Sequence, residues 1–133
     1  MAVERSNKRW VEQAGRCLAV RFPTPYPVTL KCVKKIAALP GTDAASMRSG
    51  DAGENYRSGR QIVIRIAVRP GIPRWALTDA LIHEWAHAAT MRHANLEDKR
   101  ADHGGHDDEW ALMFGRIYRW FVDDGGNEEC NSY

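Results

Sequence analysis

The chain has 133 residues, 44% of them hydrophobic, and a formal net charge of +2. That length suits a single domain, residues 1–133, with a modest core, and no apolar run approaches the ~20 residues of a membrane span, so no membrane association is expected. The near-neutral sum hides an asymmetry: residues 1–74 hold fourteen Lys or Arg against five acids, and residues 75–133 hold five against twelve.

The basic half offers a weak nucleic-acid contact, although no Lys/Arg run exceeds two and solvated surface faces explain the charges as well. The N-terminal segment lacks an apolar signal core, which makes a cytoplasmic location the default expectation. Cys17, Cys32 and Cys130 are widely spaced and form no C-x-x-C pair. Neither a disulfide framework nor a cysteine-built zinc site is indicated, and Cys17 and Cys32 read as small buried apolar residues.

Taken in order, residues from about Glu4 to Leu18 form an amphipathic helix, with Trp10, Val11, Ala14, Cys17 and Leu18 in one stripe. The proline-rich Phe22–Pro27 ends it. Val28 to about Ala37 alternates as a strand with one wet face. Leu39–Asn55 is rich in Gly, Ser, Ala and Asp and reads as a long loop, either a lid or a plain surface connection. A hairpin follows, with arms 54–57 and 60–68 and a turn at Ser58-Gly59. Its second arm sets Ile62, Ile64, Ile66 and Val68 against Val63, Arg65, Ala67 and Arg69, the pattern of a half-buried antiparallel strand with a free edge. Pro73 opens a helix that runs to about Thr90. After a polar link, a last helix begins near His106, with Trp110, Met113, Phe114, Ile117 and Phe121 as its buried stripe. Residues 123–133 read as a flexible tail.

The Pro73–Thr90 helix carries the chemistry. Within Asp79–His87 the residues His83, Glu84 and His87 stand in the order His-Glu-x-x-His. Positions four apart share a helix face, so both imidazoles can grip one ion. Neutral imidazoles suit Zn2+ at about 2.0–2.1 Å, and the carboxylate beside the first histidine can take a proton from a water held there. The segment around them is apolar nearly all round, the pattern of a sunken helix, and buried polar groups need partners. A metal would serve all three.

Catalytic zinc usually takes three protein ligands. His93 stands where a His-Glu-x-x-His-x-x-Gly-x-x-His pattern would put the third, but Thr90 occupies the glycine position, and a β-branched residue is poor where φ must be positive. His103 lies between glycines and polar residues. His106 stands at the head of the last helix, one turn before Trp110, and packing that helix on the first would aim it at His83 and His87.

Leu81-Ile-His-Glu-Trp-Ala-His-Ala88, followed by Gly105-His-Asp-Asp-Glu-Trp110, resembles the SprT-like (Spartan-type) zinc metallopeptidases, whose pattern is His-Glu-x-x-His-Ala, a linker, then Gly-His-x-x-Glu-(Phe/Trp). The resemblance covers about residues 60–122. It implies an α+β, zincin-like domain: an N-terminal helix, a short antiparallel sheet of about three strands, and two C-terminal helices carrying the metal site. It also implies that His83, His87 and His106 hold zinc and that Glu84 is the general base. No C-x-x-C follows the last helix, so the likeness is to the catalytic module without the zinc ribbon.

The expected reaction is hydrolysis of a peptide bond in an extended protein or peptide segment laid along the Arg60–Val68 strand. Tyr118, Tyr56 and His103 are candidates to stabilise the oxyanion, and Asp79, one turn before His83, is a candidate second-shell partner. The alternative is a nucleic-acid-associated protein with a structural zinc site and a basic binding half.

Overall fold

The computed structural model describes residues 2–34, 53–91 and 108–131. Helix α1 spans Ala2–Arg21, and the predicted stripe of Trp10, Val11, Ala14, Cys17 and Leu18 is buried throughout. It extends beyond Leu18 because the first residue that cannot continue a helix is Pro23.

Three strands follow: β1 (Val28–Val33), β2 (Gly53–Ser58) and β3 (Gln61–Ala67). The remainder of the expected 28–37 strand and most of the 39–55 loop lie outside the described residues. Gly53, Glu54 and Asn55, expected in that loop or at its border, belong to β2. The hairpin turn is Gly59-Arg60 rather than Ser58-Gly59, with Gly59 at φ +63°. A two-residue turn of this kind needs positive φ, which glycine adopts without steric cost.

Two features of the sheet differ from expectation. Its order is β1-β3-β2, with β1 parallel and β2 antiparallel to β3, so the sheet is mixed rather than antiparallel. In consequence β3 is the central strand, paired on both sides, and among the described residues the unpaired edges belong to β1 and β2. The Arg60–Val68 segment therefore has no edge to offer a peptide. Its alternation also fails to give a wet face, because Val63 and Ala67 are buried alongside Ile62, Ile64, Ile66 and Val68. A strand flanked on both sides tends to bury both faces. Arg65, half-buried, is neutralised by Glu54 at 2.6 Å on the neighbouring strand.

Helix α2 spans Arg74–Ala89, with Pro73 immediately before it. Leu77, Leu81, Ile82 and Trp85 lay its apolar face against the β3 isoleucines and the α1 stripe, and the Trp85 indole N–H donates to the Phe22 carbonyl at 3.0 Å. Burying side chains of this size contributes about 1.5–3 kcal/mol each. Thr90 closes the helix at φ −106°, so the chain makes no positive-φ turn there. Helix α3 runs from Asp108 to Tyr118 and continues as a π-helical turn, Arg119–Asp123. Ile117 and Phe121 are its fully buried contributions to the core, while Trp110, Met113 and Phe114 pack against it half-buried.

The expected flexible tail is instead a short helix, α4 (Gly126–Cys130). Cys130 forms a disulfide with Cys17, with 5.3 Å between the α-carbons and 113 residues between them in sequence. Cys17 is thus buried, as read from the sequence, but not a free thiol; Cys32 is. The Trp10 indole also reaches across, donating to the Asn127 side-chain oxygen at 3.0 Å. The architecture is α+β, with four helices and one three-stranded sheet among the described residues. No helix among them is long and apolar enough to cross a membrane.

Candidate metal and catalytic site

The two histidines sit on the one stripe of α2 that the core leaves open. Trp75, Asp79, His83 and His87 recur every fourth residue, and helical geometry puts such a series on one face. Trp75 and Asp79 are exposed, and His83 and His87 are partly so. The sunken helix inferred from composition is therefore right for Leu77, Leu81, Glu84 and Trp85 and wrong for the histidines.

The imidazoles face each other, Nε2 to Nε2, at 3.3 Å. Two nitrogens bound at about 2.0–2.1 Å to a tetrahedral zinc stand about 3.3–3.4 Å apart. The spacing of the pair therefore matches that of two imidazoles on such an ion, and it equally allows one ring N–H to donate to the other. Among the described residues no group of three His, Cys, Asp or Glu converges on such a point. His106, His103 and His93 lie outside the described residues.

Glu84 is only 6% exposed. One carboxylate oxygen lies 3.9 Å from His83 Nε2, and the other accepts a hydrogen bond from the Asn55 side-chain amide of β2. Burial pushes the Glu84 carboxyl up to about 7; the Asn55 hydrogen bond pulls it down, and the charge of Glu54 adds a smaller upward push. Gly53 makes the close approach possible. A β-carbon there would come within 3.1 Å of Glu84 Cγ and 3.2 Å of Ile66 Cδ1. Strand β2 thus forms one wall of the site.

Helix α3 forms the other. The Trp110 ring stacks on His87 (centroids 5.3 Å apart, planes at 28°) and meets His83 edge-on at 5.0 Å. Its indole N–H donates to the His83 carbonyl at 3.3 Å. Phe114 and Tyr118 continue the row at one-turn intervals, each stacked on its predecessor at 5.1 and 6.0 Å. These rings limit how far either imidazole can swing.

No family model matches the chain, and no curated protein or solved structure matches it significantly.

The other sequence candidates fall in different places. Tyr118 ends the aromatic row, two turns from Trp110, where it lines a hollow with Trp75 and Asp79 rather than the histidine pair. Tyr56 neighbours Asn55 on β2, and strand alternation turns it to the opposite face from Glu84. Asp79 is exposed on the same face of α2, one turn before His83. Sequence reasoning missed Asn55 and Gly53 altogether. Both lie in or beside a stretch read as loop, and their contact with Glu84 crosses about thirty residues of chain.

Proposed function

We propose that this protein is a zinc-dependent metalloendopeptidase of the SprT-like type, with His83, His87 and His106 as metal ligands and Glu84 as general base. The observation that carries the reading is the Nε2 pair at 3.3 Å with the buried Glu84 carboxylate 3.9 Å from His83. His106 precedes Trp110 by four positions in the sequence, and Trp110 is the residue of α3 that touches both histidines. That spacing supports it as the third ligand.

Zinc, when bound, supplies Lewis acidity towards the scissile carbonyl and makes water a usable nucleophile near neutrality. The remaining work falls to the chain. Glu84, with a proton affinity balanced near pH 7 by burial against the Asn55 hydrogen bond, accepts the proton of the attacking water and returns it to the leaving amine. Strand β2, not β3, holds the substrate. Its outer edge has no strand paired to it among the described residues, alternate residues present their N–H and C=O outward, and Gly53 and Asn55 adjoin Glu84. An extended segment added to this edge lies beside the base.

The second reading, a structural zinc site in a nucleic-acid-associated protein, draws on the exposed Lys8, Arg9, Arg16 and Arg21 of α1. A closed four-ligand site would favour it. The deciding experiment is metal analysis together with hydrolysis of an unfolded protein substrate by the wild type and by Glu84→Gln. The peptidase reading expects both proteins to carry one zinc, with cleavage about 10²–10⁴-fold slower in the variant. Equal cleavage by the two would remove Glu84 from the role of base.

A further inference from the structure

Beyond the histidine pair, the open stripe of α2 ends in Trp75, eight residues and about 12 Å from His83. The indole is 69% exposed, unusual for so large an apolar ring, and its N–H has no partner among the described residues. Asp79, on the same face one turn nearer the histidines, is exposed and likewise without a partner among the described residues. These two side chains stand between two adjoining hollows. One is closed by Gly53, His83 and Glu84, the other by Tyr118, Val122 and Asn127. The trough thus runs from the candidate base, past a carboxylate, to two aromatic rings.

An exposed indole and phenol beside a carboxylate that has no ion-pair partner among the described residues make a site for a cation. The ring faces attract it through their quadrupoles, the carboxylate through its charge. Asp79 is the charged residue lining both hollows, and the neighbouring cation Arg74 is turned away onto the Trp10 ring at 4.7 Å and the Asn7 side-chain oxygen at 3.0 Å. A guanidinium meets this arrangement better than an ammonium, being planar, weakly hydrated and able to stack on an indole while its edge donates to a carboxylate.

We propose that the hollow flanked by Trp75 and Asp79 is a subsite for an arginine side chain of an extended protein segment. The claim that this segment is a substrate rests on the peptidase reading; the claim that the hollow selects arginine does not.

The test is a titration of the full 15N-labelled chain with Nα-acetyl-arginine methylamide and with its uncharged isostere, the citrulline compound, following the backbone amide resonances of Asp79 and Asn127, which line the hollow and persist in every variant. The expected result is binding about fivefold tighter for the arginine compound, as a solvent-exposed cation–π contact plus one ion pair allows. Asp79→Asn should reduce that preference to less than about twofold. Trp75→Ala should weaken binding of the arginine compound to a similar degree. Both side chains are exposed, so an unchanged melting temperature is the check on folding. Equal binding of the two compounds, or a preference that survives Asp79→Asn, overturns the proposal.

A parallel assay compares cleavage of peptides carrying arginine or citrulline. Cleavage without a preference, joined to equal binding, removes the subsite and leaves the peptidase. Arginine-selective binding without any cleavage keeps the subsite and removes the peptidase.

Discussion

Asn55 on the edge strand donates its side-chain amide to the buried carboxylate of Glu84 on α2. The contact ties the strand that would hold a substrate to the group that would move the proton. It also opposes the upward push of burial on the Glu84 carboxyl. Asn55→Ala removes the opposing contribution, so the carboxyl titrates higher and a smaller fraction is ionised at pH 7. Because the base acts as the carboxylate, activity at pH 7 should fall, the acid limb of the pH–rate profile should move to higher pH, and activity should recover at alkaline pH. Zinc content should not change. An acid limb in the same place as wild type would show that the hydrogen bond does not tune the base.

The ligand set makes a ranking. His83→Ala and His87→Ala each remove one member of the 3.3 Å pair, and His106→Ala the third proposed ligand; all three should weaken zinc binding by at least about 10-fold. His93→Ala should leave it within about twofold of wild type. Competition against a chromogenic chelator measures this directly. A stronger effect at His93 than at His106 would transfer the third ligand to the metzincin-like position.

The elements that were legible in the sequence are those whose signal is local. Pro73 and the apolar content of α2 bound that helix within a residue of the observed Arg74–Ala89, and the stripe from Trp10 to Leu18 gave the buried face of α1 without error. The His-Glu-x-x-His spacing fixed the imidazole pair, because a helix admits few other arrangements of residues four apart. What could not be read depends on distant partners. Alternation in β3 cannot reveal that β1 arrives from the far side of a long connection to make it a central strand. The short polar segment Gly126–Cys130 carries no apolar period, and it is held by Cys17 and Trp10, more than a hundred residues earlier.

That disulfide closes a loop of 113 residues, for which restricting the unfolded chain contributes about 4–5 kcal/mol at most. Cys130→Ser, or reduction of the wild type, should therefore lower stability by about 2–5 kcal/mol, measured by denaturant unfolding under oxidising and reducing conditions. Equal midpoints in the two conditions would contradict the pairing. In the cytoplasmic setting expected from the sequence, the pair would meet reductants that keep thiols open, so thiol counting on protein taken directly from cells also bears on location.

With Cys17 and Cys130 paired, Cys32 is the sole free thiol of the three cysteines. Its titration is pushed up to about 11, chiefly by burial, with Glu12 adding to the shift and Lys8 opposing it. The thiolate is the reactive form, so at pH 8 only about one molecule in a thousand carries it. Alkylation by iodoacetamide should be slow at pH 8 and rise about tenfold per pH unit towards pH 11. A rate that levels off near pH 9 would mean an ordinary, unshielded thiol.

Because Cys17 and Cys130 are joined, the backbone between them is a covalent ring containing the sheet, α2 and α3. A single scission within that ring, including one made by a second copy under the proposed peptidase activity, would liberate no fragment. The nicked molecule would keep its mass on a non-reducing gel and split into two bands only after thiol treatment, so autolysis would go unseen unless the gel is run both ways.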